Sequence, residues 1–498
     1  MGHLLLTEPR RPRAIRERPG APWLAVAAVC IGALMGQLDA SIVTVALPTL
    51  QKSFHASVGS VTWVGLSYLV VLVATVTAIG RFADMWGRKL LYVYGFVVFI
   101  VASALCGFAP SLGALCVFRA LQAVGAAMLQ ANSLAIITLV VPGRALGRAI
   151  GFQGAAQAIG LALGPSVGGL LLAAGGWRLI FFVNVPLGVL GAIAALLLVP
   201  RSRDLQDRVA FDWSGLALFF PAVVALLTAI SFGSDQGWTS PLIVGLFLCA
   251  ALLVLCFLRH ERRDTQPMLD LRLFRNRRFS AGITSGLGSY LVMFGVLLLV
   301  PFYLERGLGL GAARVGVELM VLPVCLGLVA PTAGRLADRV GVRRLTVSGM
   351  ALVAASLVSL GLLRPGTSGL LLLLAATGAG LGLFTAPNNA AVMGSAPPQQ
   401  AGMASGILNM TRGLGTALGL ALTGLLFSVS GGVSGGPEGA DHAFTVTAVL
   451  LGAIAAWAGL VATLPLGSRP GKRLTSTALR AGGGPRPTGT GADGRSGH

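Results

Sequence analysis

Two ionisable residues stand at similar depth inside apolar runs in the first part of the chain, where a bare charge is costly: Asp39 in the run 22–48 and Arg119 in the run 112–140. Groups at such depth are tolerated when they meet a partner or a water-filled cavity, which makes each a candidate for function. Counted at 1.5 Å per residue from the nearer end of its run, Asp39 lies ~13 Å in and Arg119 ~10 Å in. Desolvation and a neighbouring guanidinium act on a carboxyl proton in opposite senses. A carboxyl held between them can change protonation when its surroundings open or close. The expected chemistry is therefore reversible proton binding at Asp39, modulated by Arg119, on adjacent helices whose side chains face one cavity. A purely structural ion pair is the alternative.

A second constellation is repeated. The stretch G-R-F-A-D-M-W-G-R-K, from Gly80 to Lys89, returns 254 positions later as G-R-L-A-D-R-V-G-V-R-R, from Gly334 to Arg344. Each copy separates two long apolar runs, so each is a tight charged hairpin. Gly80 and Gly87 permit close backbone approach and a sharp turn. Asp84, Arg88 and Lys89, with Asp338 and Arg339 in the second copy, place opposite charges at a membrane surface, where ion pairs can form and break cheaply. They read as a latch, or as loop charges that only set topology.

The elements that position these residues are membrane helices. The chain has 498 residues, 55% hydrophobic and 11% charged, with a mean hydropathy of +0.82. A soluble domain would carry roughly 25% charged residues, so the class is a polytopic membrane protein. Runs long enough to cross ~30 Å of hydrocarbon occur at about 22–48, 58–82, 90–108, 112–140, 146–174, 179–199, 212–233, 240–258, 279–304, 312–336, 343–363, 368–393, 402–428 and 443–466. Fourteen helices result.

The net charge of +20 raises the question of nucleic acid, and the placement of the charge answers it. Of 37 Lys and Arg, 30 fall in the two tails and the even-numbered loops and 5 in the odd-numbered loops. That asymmetry sets orientation in a membrane and puts both termini in the cytoplasm; no nucleic-acid partner is expected. Arg outnumbers Lys 34 to 3, as in a GC-rich bacterial genome. All six cysteines lie in apolar runs without metal or disulfide spacing, and no metal site is expected. No phosphate-binding G-x-x-x-x-G-K-[ST] loop exists, so ATP is excluded as the energy source.

The first hairpin follows helix 2 and the second follows helix 10, which divides the chain into repeated halves. The expected organisation is a basic disordered tail (1–21), a six-helix half (22–200), inserted helices 7 and 8 (201–258), an amphipathic linker (259–278), a second six-helix half (279–466) and a disordered tail (467–498). In the linker, Leu269, Leu273 and Phe274 can share a face while Arg272, Arg275, Arg277 and Arg278 reach lipid phosphates. A solvated loop is the alternative.

These stretches resemble the major facilitator superfamily, and the fourteen-helix count resembles its drug:proton antiporter family. The first hairpin is similar to the family's signature loop. Further matches are L-D-A-S-I-V-T-V-A-L-P from Leu38, R-A-L-Q-A-V-G-A-A from Arg119, G-L-A-L-G-P-S-V-G-G from Gly160, W-R-L-I-F-F-V-N-V-P from Trp177 and P-M-L-D-L-R-L-F-R-N-R from Pro267. The resemblance implies that Asp84 holds the two halves together through Arg88 and the N-terminus of helix 13. It also implies that Gly160, Gly164, Pro165, Gly168 and Gly169 mark an antiporter helix 5 packed across the interface between halves. Small-residue packing alone is the other reading of helix 5.

Gln122, Gln157, Glu318, Asn388, Asn409 and Arg412 are candidates to line a substrate cavity, with interhelical hydrogen bonding the alternative for the amides. The resulting expectation is an all-α polytopic protein of the major facilitator fold in the bacterial cytoplasmic membrane. It would export small amphipathic molecules in exchange for protons as a monomer without cofactor, the proton gradient supplying the energy. A dedicated metabolite, antibiotic or siderophore exporter or facilitator is the near alternative; a membrane-embedded enzyme or sensor is the remote one.

Overall fold

The structure, a computed structural model, describes residues 8, 11–56, 58–202, 211–264, 267–304, 312–431 and 436–464. Among them fourteen helices are long and apolar enough to span a bilayer, and there is no strand. They are α1 (Ala21–Phe54), α2 (Val58–Trp86), α3 (Arg88–Gly107), α4 (Leu112–Val140), α5 (Leu146–Gly175), α6 (Leu179–Phe182 continuing as Asn184–Leu198) and α7 (Trp213–Gln236). Then come α8 (Pro241–Arg263), α9 (Arg277–Phe302), α10 (Ala312–Leu319 continuing as Val321–Val340), α11 (Val342–Leu363), α12 (Thr367–Ser395), α13 (Ala401–Val429) and α14 (Gly436–Thr463). Helices satisfy every backbone group within the segment, which the absence of water in hydrocarbon demands. With fourteen spans, the start of α1 and the end of α14 lie on one face, called the terminal face below.

The sequence repeat is also a packing repeat. Backbone approach through glycine joins α3 to α4 at Gly95 and Gly125, and α11 to α12 at Gly349 and Gly380. Likewise α5 lies on α1, with Gly160 against the Leu34 carbonyl, and α13 lies on α9, with Gly419 against the Leu291 carbonyl. Both hairpins turn on a glycine at positive φ, Gly87 at +117° and Gly341 at +94°, a conformation that a side chain would strain.

The closest backbone approaches between the halves lie along two seams at the terminal face. One joins α2 to α13, with Gly80 against Gly402 and Gly406 against Thr77; the other joins α5 to α10, with Gly147 against Gly334 and Gly151 against Ala330. Helices without side chains at the crossing can approach to backbone contact, which is how membrane helices gain packing energy when lipid is as apolar as they are.

Helices α7 and α8 pack on each other, with Phe219 and Phe257 rings 5.1 Å apart. The rest of α7 leans on α2: Trp63 meets Phe232 at 5.3 Å, and Phe82 lies 5.8 Å from Trp213. Helix α8 exposes Leu242, Leu248 and Leu252, a surface suited to lipid.

Three boundaries differ from the sequence reading. Helix α1 does not stop at Pro48 but continues to Phe54; proline removes one hydrogen bond, and the remaining turn is held by its neighbours. The linker is shorter than 259–278, since α8 runs to Arg263, α9 starts at Arg277, and a 3-10 turn (Leu271–Arg275) lies between. There Met268, Leu269 and Leu273 are buried while Phe274 stays exposed, so Phe274 does not share their face. Part of the basic tail is ordered: Arg13–Arg16 forms a helical turn, and Glu8 accepts from the amide and hydroxyl of Ser202 at 2.6 and 2.7 Å. The tail 467–498 falls outside the described residues.

Candidate functional site

Asp39 and Arg119 meet. Arg119 Nη1 donates to Asp39 Oδ2 at 2.7 Å, bridging α1 and α4. The other carboxylate oxygen, Oδ1, accepts from Gln122 Nε2 at 2.9 Å and from Asn184 Nδ2 of α6 at 2.7 Å. The guanidinium also donates to Gln122 Oε1 at 2.6 Å and to the Val64 carbonyl at 3.2 Å, and lies 4.2 Å from the centroid of the Tyr68 ring. Helices α1, α2, α4 and α6 of the first half thus converge on one ion pair.

Two sequence expectations about this pair need correction. Because α1 extends to Phe54, Asp39 sits near its middle, ~22 Å from that end, rather than ~13 Å. Nor does the pair face a cavity: Asp39 is 0% and Arg119 1% exposed. A buried pair persists when its remaining donors and acceptors are satisfied, and Gln122, Asn184 and Ser103, which accepts from Gln122 Nε2 at 2.7 Å, supply that. Sequence reasoning missed Asn184 and Tyr68. Asn184 carried a signal, being an amide within an apolar run.

The first hairpin spans the α2–α13 seam. Asp84 Oδ1 accepts from Arg88 Nη2 at 2.6 Å and from the Gly402 amide at 2.8 Å, while Oδ2 accepts from the Met403 amide at 2.9 Å. The first free amides of α13 carry the positive end of its dipole, so a carboxylate there is favoured. Arg88 also donates to the Pro398 carbonyl at 2.7 Å, from the turn that leads into α13. Lys89 has another place: its Nζ donates to the Leu196 carbonyl at 2.8 Å, which ties α3 to α6 within one half. Gly80 and Gly87 provide the crossing and the turn.

The second hairpin leads from α10 into α11. Arg339 is exposed, and the side chain of Asp338 lies outside the described residues. Its contact with α5 is made by Gly334 on Gly147.

Helix α5 does two jobs along its length. Its terminal-face end crosses to α10 through Gly147 and Gly151, whereas Gly160, Gly164 and Gly168 face α1, against Leu34, Ser41 and Ile42. The glycine motif therefore packs within the first half, not across the interface as expected. Gly169 has nothing within 4 Å, and Pro165 is exposed. The reason is periodicity: glycines four apart share one face of the helix, and that face belongs to α1.

Of the six cavity candidates, three amides are engaged in the bundle. Gln122 belongs to the Asp39 network; Asn388 donates to the Gly282 carbonyl at 3.0 Å; Asn409 donates to the Gln130 carbonyl at 2.9 Å. Glu318 is buried, and its Oε1 accepts from the exposed Arg314 at 3.1 Å, one turn away on the same helix. Gln157 is half-buried, as are Gln37 and Gln130. Arg412 is half-buried too, 5.3 Å above the Tyr290 ring, with a buried Nη1 that has no hydrogen-bond partner among the described residues.

A sequence model described as Major Facilitator Superfamily matches residues 29–330 and 283–489. The chain belongs to that superfamily. Among its relatives, the riboflavin transporter RibZ of Clostridioides difficile (strain 630) is 34% identical over 82% of this chain and 89% of its own length. The multidrug resistance protein Stp of Mycobacterium tuberculosis (strain CDC 1551 / Oshkosh) is 34% identical over 80% of this chain and 75% of its own. Among solved structures, the human organic anion transporter MFSD10 (TETRAN) superposes with a TM-score of 0.66 at 15% identity, covering 90% of this chain and 100% of that one. The chain is thus a major facilitator transporter with fourteen candidate spans among the described residues, the Asp39 network in its first half and the Asp84 hydrogen bonds across its halves.

Proposed function

We propose that this transporter exports small amphipathic compounds from a bacterial cell in exchange for protons, with the terminal face in the cytoplasm. The observation that carries the reading is the carboxylate at Asp39, buried at mid-membrane depth with a guanidinium 2.7 Å away. No such pair occupies the second half among the described residues. A single satisfied ion pair in one half of an otherwise repeated fold is costly to maintain, and proton exchange gives it a use. The Asp84 latch holds the cytoplasmic face shut in this conformation, and its release would open the face for loading.

Gln37, Gln130, Gln157 and Arg412, all half-buried, would supply the polar anchors for a substrate along an otherwise apolar path. This suits many compounds, in keeping with Stp, which is named for multidrug resistance. A dedicated exporter is the second reading, and RibZ, named for riboflavin, motivates it.

Substrate-induced proton release from the purified protein tests the assignment. Release should be strong in the wild type and lost in Asp39→Asn, with substrate binding retained. Undiminished release in Asp39→Asn would place the proton elsewhere. A panel of toxic compounds on an efflux-deficient host separates broad from dedicated export.

A further inference from the structure

At the terminal face, away from the Asp39 network, the foot of the α7–α8 insert gathers a cluster that transport leaves unexplained. Asp212 caps α7, its Oδ1 accepting from the Gly215 amide at 2.6 Å and lying 2.9 Å from His260 Nε2. Asp264, one turn beyond His260, brings Oδ2 within 3.5 Å of the same nitrogen. One ligand atom from each of Asp212, His260 and Asp264 falls within 4.8 Å of the others.

Two carboxylate oxygens at or beside this cluster have no donor among the described residues. Asp212 is 8% and Glu261 4% exposed, yet Asp212 Oδ2 and Glu261 Oε1 are both without a hydrogen-bond partner among the described residues. Both border the space beside Gly215, where a Cβ would press on Asp212 Oδ2 and lie 3.0 Å from Glu261 Oε1. Among the described residues no Lys or Arg comes within ion-pair distance of Asp212 or Glu261. Buried carboxylate oxygens left unpaired are expensive, and two of them side by side repel. A cation removes both costs.

We propose that Asp212, His260 and Asp264 bind a divalent cation of the manganese or zinc class, with Glu261 accepting from a water on the ion. One imidazole with two carboxylates fits those ions better than magnesium or calcium, which prefer oxygen alone. With Nε2 as the ligand atom, the imidazole carries its proton on Nδ1.

The site sits where it can hold the linker. Glu261 Oε2 accepts from the Leu269 amide at 3.2 Å, and the next residue, Asp270, accepts from Gln400 Nε2 at 2.9 Å, at the turn that leads into α13. A bound ion fixes Glu261, and through it the linker, against the closed latch.

Equilibrium dialysis of the full-length, untagged protein against Mn2+ and against Zn2+ tests this, with Mg2+ as the comparison. One equivalent per chain should bind, and Asp264→Asn and His260→Gln should each weaken binding by at least ~10-fold, as loss of metal-site residues does. Both side chains are partly exposed, and monodispersity in detergent checks that the variants fold. Limited trypsin digestion at Arg272 and Arg275 gives a second readout: the ion should slow cleavage in the wild type but not in Asp264→Asn. Absence of stoichiometric Mn2+ or Zn2+ binding in the wild type, or binding undiminished in both variants, overturns the proposal and leaves the two carboxyl groups sharing a proton. Dialysis reads binding without transport, so this result stands apart from the direction of export.

Discussion

Asp84 Oδ2 accepts from the backbone amide of Met403 at 2.9 Å, so a carboxylate of α2 caps a helix 319 positions away in the other half. The bond joins halves that must separate at this face for it to open. It can hold the closed state without a fixed covalent tie.

Replacing Asp84 by Asn removes the charge that serves Arg88 and two amides at once. A hydrogen bond to a charged group is worth about 1.5–3 kcal/mol, so the closed state should lose ~10-fold or more of its population. Transport into proteoliposomes should fall while membrane levels stay near those of the wild type. Full-rate transport by Asp84→Asn would remove the latch from the mechanism.

Breaking the Asp39–Arg119 pair from one side should cost more than removing it whole. Arg119→Met strands a buried carboxylate, at about 3–5 kcal/mol. The double variant Asp39→Asn with Arg119→Met should recover much of that loss. Thermal unfolding in detergent reads the difference; a double variant less stable than Arg119→Met alone contradicts the account.

Helix α5 offers a paired comparison on one motif. Gly164→Val would drive a side chain into Ser41 of α1 and should destabilise by about 1–3 kcal/mol. Gly169→Ala meets open space and should leave folding and transport unchanged. Equal effects at both positions would mean that the glycines act through helix flexibility rather than through packing on α1.

Arg412 and Tyr290 bear on substrate choice. With a buried Nη1 that has no hydrogen-bond partner among the described residues, Arg412 should favour compounds that bring an acceptor. Arg412→Gln should shift the resistance profile away from such compounds while sparing proton release. An unchanged profile across anionic and cationic compounds would remove Arg412 from the substrate path.

Local composition and repetition determined much of this protein before any coordinates. Spans are legible because bilayer thickness sets a run length that few other structures share. The hairpins are legible because glycine, acid and base recur in one order, and Asp84 could be placed on the N-terminus of α13 through the family resemblance. Asp39 and Arg119 stood out because a charge in an apolar run needs a reason.

What the tertiary structure decided is which faces meet. A glycine pattern says that something approaches closely but not what, so only the bundle shows Gly160, Gly164 and Gly168 on α1 and Gly147 on α10. An amide in a helix can line a cavity or bond a neighbour, and only the neighbour's position assigns Asn388 to Gly282 and Asn409 to Gln130. The Asp212–His260–Asp264 cluster joins residues 48 positions apart across the insert, at ordinary spacing along the chain. Contacts between segments distant in sequence leave no periodic trace, because each side chain answers to a partner that the local pattern does not contain.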